Sequence, residues 1–206
     1  MKQFMRLFFR LLYHQLAFTY DLVAASVSFN RWKDWVMSVI PFIEGDRILE
    51  IGHGPGHLQR ILLSRNLFAV AIDESRQMSY LAQRNTDGMA CLTRGLAQYL
   101  PFPDQAFDTI VSTFPSDYIN DPLTLAEVKR CLLNGGRFII LPVAWPKKPF
   151  LDWLFRVTGE SPPEAVELVK SKFKQPLVKA GFETEVKMLD VKSSLLLIVV
   201  AKRPSR

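Results

Sequence analysis

ILEIGHGPGHL, Ile48 to Leu58, sets glycines at every second position (Gly52, Gly54, Gly56) directly behind an apolar run that contains one acid, Glu50. The run has the length and texture of a buried strand, and HLQRILLSR, beginning at His57, has the periodicity of a helix. Glycine at a strand-to-helix junction lets the main chain take left-handed conformations and lets another group approach it closely. The stretch therefore predicts a β-turn-α unit with a ligand seat at the carboxyl end of its strand.

Working outward, the same alternation continues. FAVAID (68–73) reads as a strand. SRQMSYLAQR (75–84) reads as a helix with Ser75 as its N-cap. ACLTR (90–94) and FDTIVST (107–113) read as strands, DPLTLAEVKRCLL (121–133) as a helix and GRFIILPVA (136–144) as a strand, with Gly135-Gly136 as the turn before it. Alternating strands and helices predict a doubly wound α/β fold, a mostly parallel sheet covered by helices on both faces. A helix over about 163–179 closes at Gly181 in the manner of a C-cap glycine. TEVKML (184–189) and LLLIVVAK (195–202) follow within a few residues of each other, which predicts an antiparallel hairpin at the sheet edge. Before the first strand, residues 1–18 and about 30–40 read as helices, the second stopped by Pro41. The whole is expected to be one domain, 1–206, with an N-terminal helical cap over 1–40. A segment rich in proline and aromatics, 142–163, reads as an insertion or lid.

With 206 residues, 49% hydrophobic and 22% charged, the chain has the composition of a globular protein with a sizeable core. A net charge of +6 permits attraction to anionic surfaces, but the basic residues are dispersed, which argues against a nucleic-acid partner. Cys91 and Cys131 stand apart with no CxxC or Cys/His cluster, so no metal site is expected and a reduced, cytoplasmic protein is. The longest apolar run, Leu195 to Ala201, is too short to cross a bilayer.

Two acids stand where chemistry is expected. Glu50 precedes the glycines, and Asp73 ends the second strand, placed to accept hydrogen bonds from both hydroxyls of a ribose. The spacing E-x-G-x-G-x-G differs from the G-x-G-x-x-G of a dinucleotide turn, so an adenosine-containing ligand is implied and a nicotinamide cofactor disfavoured.

LEIGHGPGHL, AIDES, LPFPDQAFDTIVST and EVKRCLLNGGRFIIL, in that order over roughly residues 47–142, resemble class I S-adenosylmethionine-dependent methyltransferases. Within them the likeness is to the subgroup that contains the ubiquinone and menaquinone biosynthesis enzymes. The resemblance implies a seven-stranded sheet ending in an antiparallel hairpin, and S-adenosyl-L-methionine as cofactor. It implies that Glu50 lies near the methionine amino group and that Gly52, His53, Gly54 and Gly56 meet the cofactor through the backbone. Asp73 would take the ribose, with Glu74 beside it, and Met78 would flank the adenine. Thr113 and Phe114 would line the pocket beneath the sulfonium, and Tyr20 would cover the methionyl end. Where an acid usually accepts from the adenine amino group this chain has Leu96. Recognition then falls to main-chain groups of Leu96 and Ala97, or to Gln98, or cofactor binding is weakened.

Methyl transfer needs alignment and exclusion of water, and a base only where the acceptor must lose a proton. Candidates are His53, in the glycine turn, and Asp117 and Tyr118, just past the fourth strand. The aromatic, apolar character of the N-terminal helices and of 142–163 predicts a small apolar acceptor, quinone-like or lipid. The basic stripe Lys2, Arg6 and Arg10 predicts peripheral contact of the first helix with the inner face of a membrane. The competing expectation is a regulatory protein that keeps the fold without catalysis.

Overall fold

The computed structural model describes residues 32–146, 162–192 and 194–205. The expectations for the helix at 1–18, Tyr20 and the middle of the 142–163 segment lie outside the described residues. The chain divides into two compact units, residues 1–34, of which Trp32–Asp34 are described, and residues 35–206, which hold the sheet.

Helix α1 (Trp32–Met37) and a 3-10 turn (Ile40–Phe42) lead into β1 (Ile48–Ile51). Pro41 does not end a helix here; it sits at the start of the 3-10 turn, where its missing N–H would have no partner in any case. There follow α2 (His57–Leu63), β2 (Ala69–Asp73), α3 (Arg76–Asn85), β3 (Cys91–Arg94) and β4 (Phe107–Thr113). A 3-10 turn (Asp117–Asn120), α4 (Pro122–Cys131), β5 (Leu132–Pro146), α5 (Pro162–Lys179), β6 (Glu183–Val191) and β7 (Ser194–Lys202) complete the order. Ser75 caps α3 as its sequence predicts, its side chain accepting from the Met78 N–H.

The seven strands form one sheet in the order β3-β2-β1-β4-β5-β7-β6. β1 to β5 are parallel to one another, while β7 runs antiparallel between β5 and β6. From β1 the chain steps one way, to β2 and β3; from β4 it steps the other way, to β5. Right-handed crossovers therefore put α2 and α3 on one face and α4 on the opposite face. The strand faces agree. Leu49, Ile51, Ile110, Phe138 and Ile140 share a core with Leu125, Val128 and Cys131 of α4. The alternate set, with Glu50 among it, faces α2, where Gln59 bonds Glu50. All four residues of β1 are buried, as a central parallel strand covered on both faces requires.

Two boundaries differ from the sequence reading. β5 extends to Pro146, its last residues pairing with Ser194–Leu197, so 142–146 belong to the sheet rather than to an insertion. The Gly135-Gly136 pair lies inside β5, where the register with β4 shifts, and Gly135 has φ of 79°. The glycines bend a strand around a bulge instead of separating helix from strand. The connection between β3 and β4 is pinned by Arg130, whose guanidinium donates to the carbonyls of Leu100 and Phe102 and to Asp104 and Glu127. Among the described residues no helix is long and apolar enough to cross a membrane.

Candidate functional site

Strand order reverses between β1 and β4, and the crevice at their carboxyl ends is where an open parallel sheet receives ligands. The glycine turn occupies it, and its three glycines do different things. Gly52, with φ of 73°, lies against the Tyr118 hydroxyl, with which an added Cβ would collide. Gly54, with φ of 51°, would bring a Cβ to nothing within 4 Å, so its side of the turn is open. Gly56, with φ of 81°, meets Ala82 of α3, 2.9 Å from an added Cβ. Gly56 thus closes helix against helix, while Gly54 leaves room for a ligand. Substituting Gly56 by alanine is expected to cost about 2 kcal/mol, from left-handed backbone strain and the collision with Ala82. Urea unfolding measures it, and an unchanged midpoint contradicts the packing role.

Asp73 anchors the turn. Its Oδ2 accepts from the Gly54 N–H at 2.9 Å and its Oδ1 from the Ser75 N–H at 2.8 Å. An ionised carboxylate has about four acceptor sites, so both oxygens retain capacity for a vicinal diol. The Asp73 carbonyl accepts from the Gly95 N–H at 3.1 Å, which ties the loop after β3 to the same point.

Glu50 is 1% exposed and accepts from Gln59 Nε2 at 2.8 Å. Burial pushes its carboxyl up to about 8; the Gln59 bond opposes the shift and the charge of Asp73 adds to it. Below about pH 8 an acid held this way keeps its proton until a cation arrives beside it. Gln59 was not singled out from the sequence. The available signal was an amide on the otherwise apolar face of α2, between Leu58 and Ile61.

Tyr118 lies beside Ser112 Oγ and the Ile51 carbonyl, both at 3.4 Å, while Ser112 Oγ donates to Ile51 at 2.7 Å. Burial pushes its hydroxyl up to about 12, with the charges of Asp73, Glu50 and Glu74 adding to the shift against a Ser112 bond. Tyr118 is therefore a proton donor at neutral pH and not a base. The His53 ring is 3% exposed, and Nδ1 lies 2.7 Å from the Gly54 carbonyl. A carbonyl only accepts, so Nδ1 carries a proton, and Nε2 is a buried ring nitrogen with no partner among the described residues. Asp117 is elsewhere: its side chain is 95% exposed and pairs with Lys172 of α5 at 3.2 Å.

The remaining predicted residues surround these. Glu74 is exposed, Met78 and Thr113 are half-buried, and Leu96 is 45% exposed beside buried Ala97. Gln98 Nε2 donates to Asp121 Oδ2 at 3.2 Å. Phe114, the residue after β4, has φ of 52°, unusual for a bulky residue, and its ring lies 6.1 Å from that of Trp35. The structure thus brings together Glu50, Gly52, Gly54, Asp73 and Tyr118, adjoins the 95–98 loop to them, and leaves Asp117 on the surface. An adenosine bearing a cationic tail fits this donor set: a diol acceptor at Asp73, an open backbone at Gly54 and a buried acid at Glu50.

Comparison with known proteins agrees. The family model for a methyltransferase domain matches residues 49–140. The chain is 29% identical to a demethylmenaquinone methyltransferase of Symbiobacterium thermophilum over 72% of its own length and 64% of that protein. It is 30% identical to the ubiquinone/menaquinone biosynthesis C-methyltransferase UbiE of Cellvibrio japonicus, over 68% of this chain and 61% of the relative. The chain spans about three fifths of the length of these relatives. Among solved structures, an S-adenosylmethionine-dependent methyltransferase of Methanosarcina mazei superposes with a TM-score of 0.58 at 20% identity, covering 82% of this chain and 98% of that one. The YcgJ protein of Bacillus subtilis does so with a TM-score of 0.57 at 17% identity, covering 84% and 99%.

Proposed function

We propose that the chain is a class I S-adenosylmethionine-dependent methyltransferase and that it methylates a small, apolar, ring-bearing acceptor of the quinone-precursor kind. The observation that carries the reading is the Asp73 carboxylate, fixed by two backbone donors at the open side of Gly54. S-adenosylmethionine supplies a methyl group on a sulfonium, a good leaving group for in-line displacement.

The chain's own residues hold and orient. Asp73 accepts from the ribose hydroxyls, and the backbone at Gly52 and Gly54 admits the methionyl and ribose portions. Glu50 faces the amino group. Glu74 and Met78 border the nucleoside, and Thr113 and Phe114 wall the crevice on the β4 side. The Trp35–Phe114 aromatic pair supports an apolar ring as acceptor. So do the printed names of the relatives, a demethylmenaquinone and a ubiquinone/menaquinone biosynthesis enzyme. Where the acceptor must lose a proton, His53 Nε2 is the receiving atom, because Tyr118 holds its own proton and Asp117 faces solvent.

The test is turnover. The full chain, methyl-labelled S-adenosylmethionine and a panel of reduced demethylquinones are incubated with phenols, fatty acids and amines as comparisons. Label is expected in the quinones, with His53→Ala lowering the rate at least tenfold and leaving cofactor affinity within about twofold. Label in amines or fatty acids alone overturns the acceptor assignment.

A further inference from the structure

We propose that Gln98, positioned by Asp121, is the residue that reads the base of the bound nucleoside, its Oε1 accepting from the adenine 6-amino group. The inference deepens the cofactor reading above and rests on it. In the sheet Asp73 stands between β1 and β3. The glycine turn and Glu50 take the β1 side, so a nucleoside whose ribose sits at Asp73 and whose amino-acid tail reaches Glu50 extends its base the other way, over the loop that follows β3. That loop is fastened at the same place by the Gly95 N–H to the Asp73 carbonyl. Its side chains are Leu96, apolar and 45% exposed, Ala97, buried, and Gln98, half-buried. Leu96 can cover a flat ring but cannot accept a hydrogen bond.

Gln98 can, and Asp121 decides how. Asp121 is the N-cap of α4, its Oδ1 accepting from the Leu123 N–H at 2.9 Å and its own N–H donating to the Tyr118 carbonyl at 3.1 Å. Its Oδ2 lies 3.2 Å from the Gln98 amide nitrogen. A carboxylate only accepts, so the amide nitrogen must face it, and the flipped orientation would set oxygen against oxygen. Oε1 is thereby turned outward as an acceptor that no described residue occupies. An acceptor fixed in this way favours a 6-amino purine over a 6-oxo purine, whose oxygen has no hydrogen to offer it. The base-reading group thus comes from the loop after β3, but its orientation comes from the cap of a helix on the other side of β1.

Calorimetry on the full chain with S-adenosylhomocysteine and S-inosylhomocysteine tests this without turnover. The wild type is expected to prefer the adenosyl ligand about tenfold, the difference one well-made hydrogen bond supports. Gln98→Leu should lower adenosyl affinity about five- to tenfold, leave inosyl affinity unchanged and so erase the preference. Asp121→Ser keeps an N-cap, and with it the fold, but releases the amide; the preference should shrink while the melting temperature holds. Equal wild-type affinities overturn the proposal and leave the cofactor reading standing. So does a Gln98→Leu variant that keeps the preference, or one that loses both ligands in equal measure. Failure of the wild type to bind either ligand overturns the cofactor reading and this proposal together.

Discussion

Replacing Asp73 with alanine is expected to weaken S-adenosylhomocysteine binding at least a hundredfold. Two charge-assisted hydrogen bonds to the ribose are lost, each worth ~1.5–3 kcal/mol. The carboxylate also holds the Gly54 and Ser75 N–H groups at 2.9 and 2.8 Å, so its removal loosens the turn as well as the ligand. Both N–H groups belong to partly buried positions that water reaches, so the cofactor-free fold should lose little. Asp73→Asn separates charge from geometry. It keeps one acceptor for the turn or the sugar and loses the charge, and its affinity should fall between wild type and alanine. Calorimetric titration of the three proteins, with circular dichroism to confirm the fold, is the measurement. Equal affinity across the series would remove the nucleoside from this crevice.

The parts of the molecule legible in its sequence are those where one residue type has one physical use. Strand and helix alternate in the sequence because a parallel sheet needs crossovers, and β4 and the Ser75 cap fall where the pattern puts them. The glycine turn and Asp73 were legible for the same reason: left-handed backbone and a strand-end carboxylate have few other uses. Length and register were less so. Gly135-Gly136 carries the signal of a turn, and only the pairing with β4 makes it a bulge inside a strand. Pro146 looks like the opening of a loop, yet it pairs with Ser194 on a strand more than forty residues away. The site's supporting residues were the least legible. Gln59 and Asp121 act through Glu50 and Gln98, at 2.8 and 3.2 Å, and neither pairing has a local spacing to betray it. Asp117 shows the reverse error: adjacent in sequence to Tyr118, it turns outward to Lys172 because consecutive residues of a 3-10 turn point in different directions.

Glu50→Gln is expected to make the cofactor-free protein more stable by roughly 3–5 kcal/mol at pH 8, and hardly at all at pH 5. The ordinary carboxyl value is 4.5, and burial lifts it to about 8 in the folded chain. Below the lower value the group is protonated whether the chain is folded or not, and no penalty applies. Between the two values the unfolded chain ionises freely while the folded chain holds its proton, so stability falls as pH rises, by about 1.4 kcal/mol per unit. Above the higher value the penalty is constant. Glutamine has no proton to lose and can still meet Gln59, so the gap between variant and wild type should widen from pH 5 to 8 and then level off. Urea unfolding at several pH values reads it directly, and a gap independent of pH would show that Glu50 is not the buried acid described above. Binding should run the opposite way. A cationic amino group beside Glu50 draws off its proton, so wild-type affinity for S-adenosylhomocysteine should rise with pH up to about 8. Calorimetry in buffers of different ionisation enthalpy should register release of close to one proton at pH 7. In Glu50→Gln the affinity should be lower and the pH dependence gone. Buried carboxyls of this kind are what functional sites retain at the expense of the empty fold; here the strain is relieved only when positive charge enters the crevice, which makes occupancy of the crevice itself a source of stability at neutral pH.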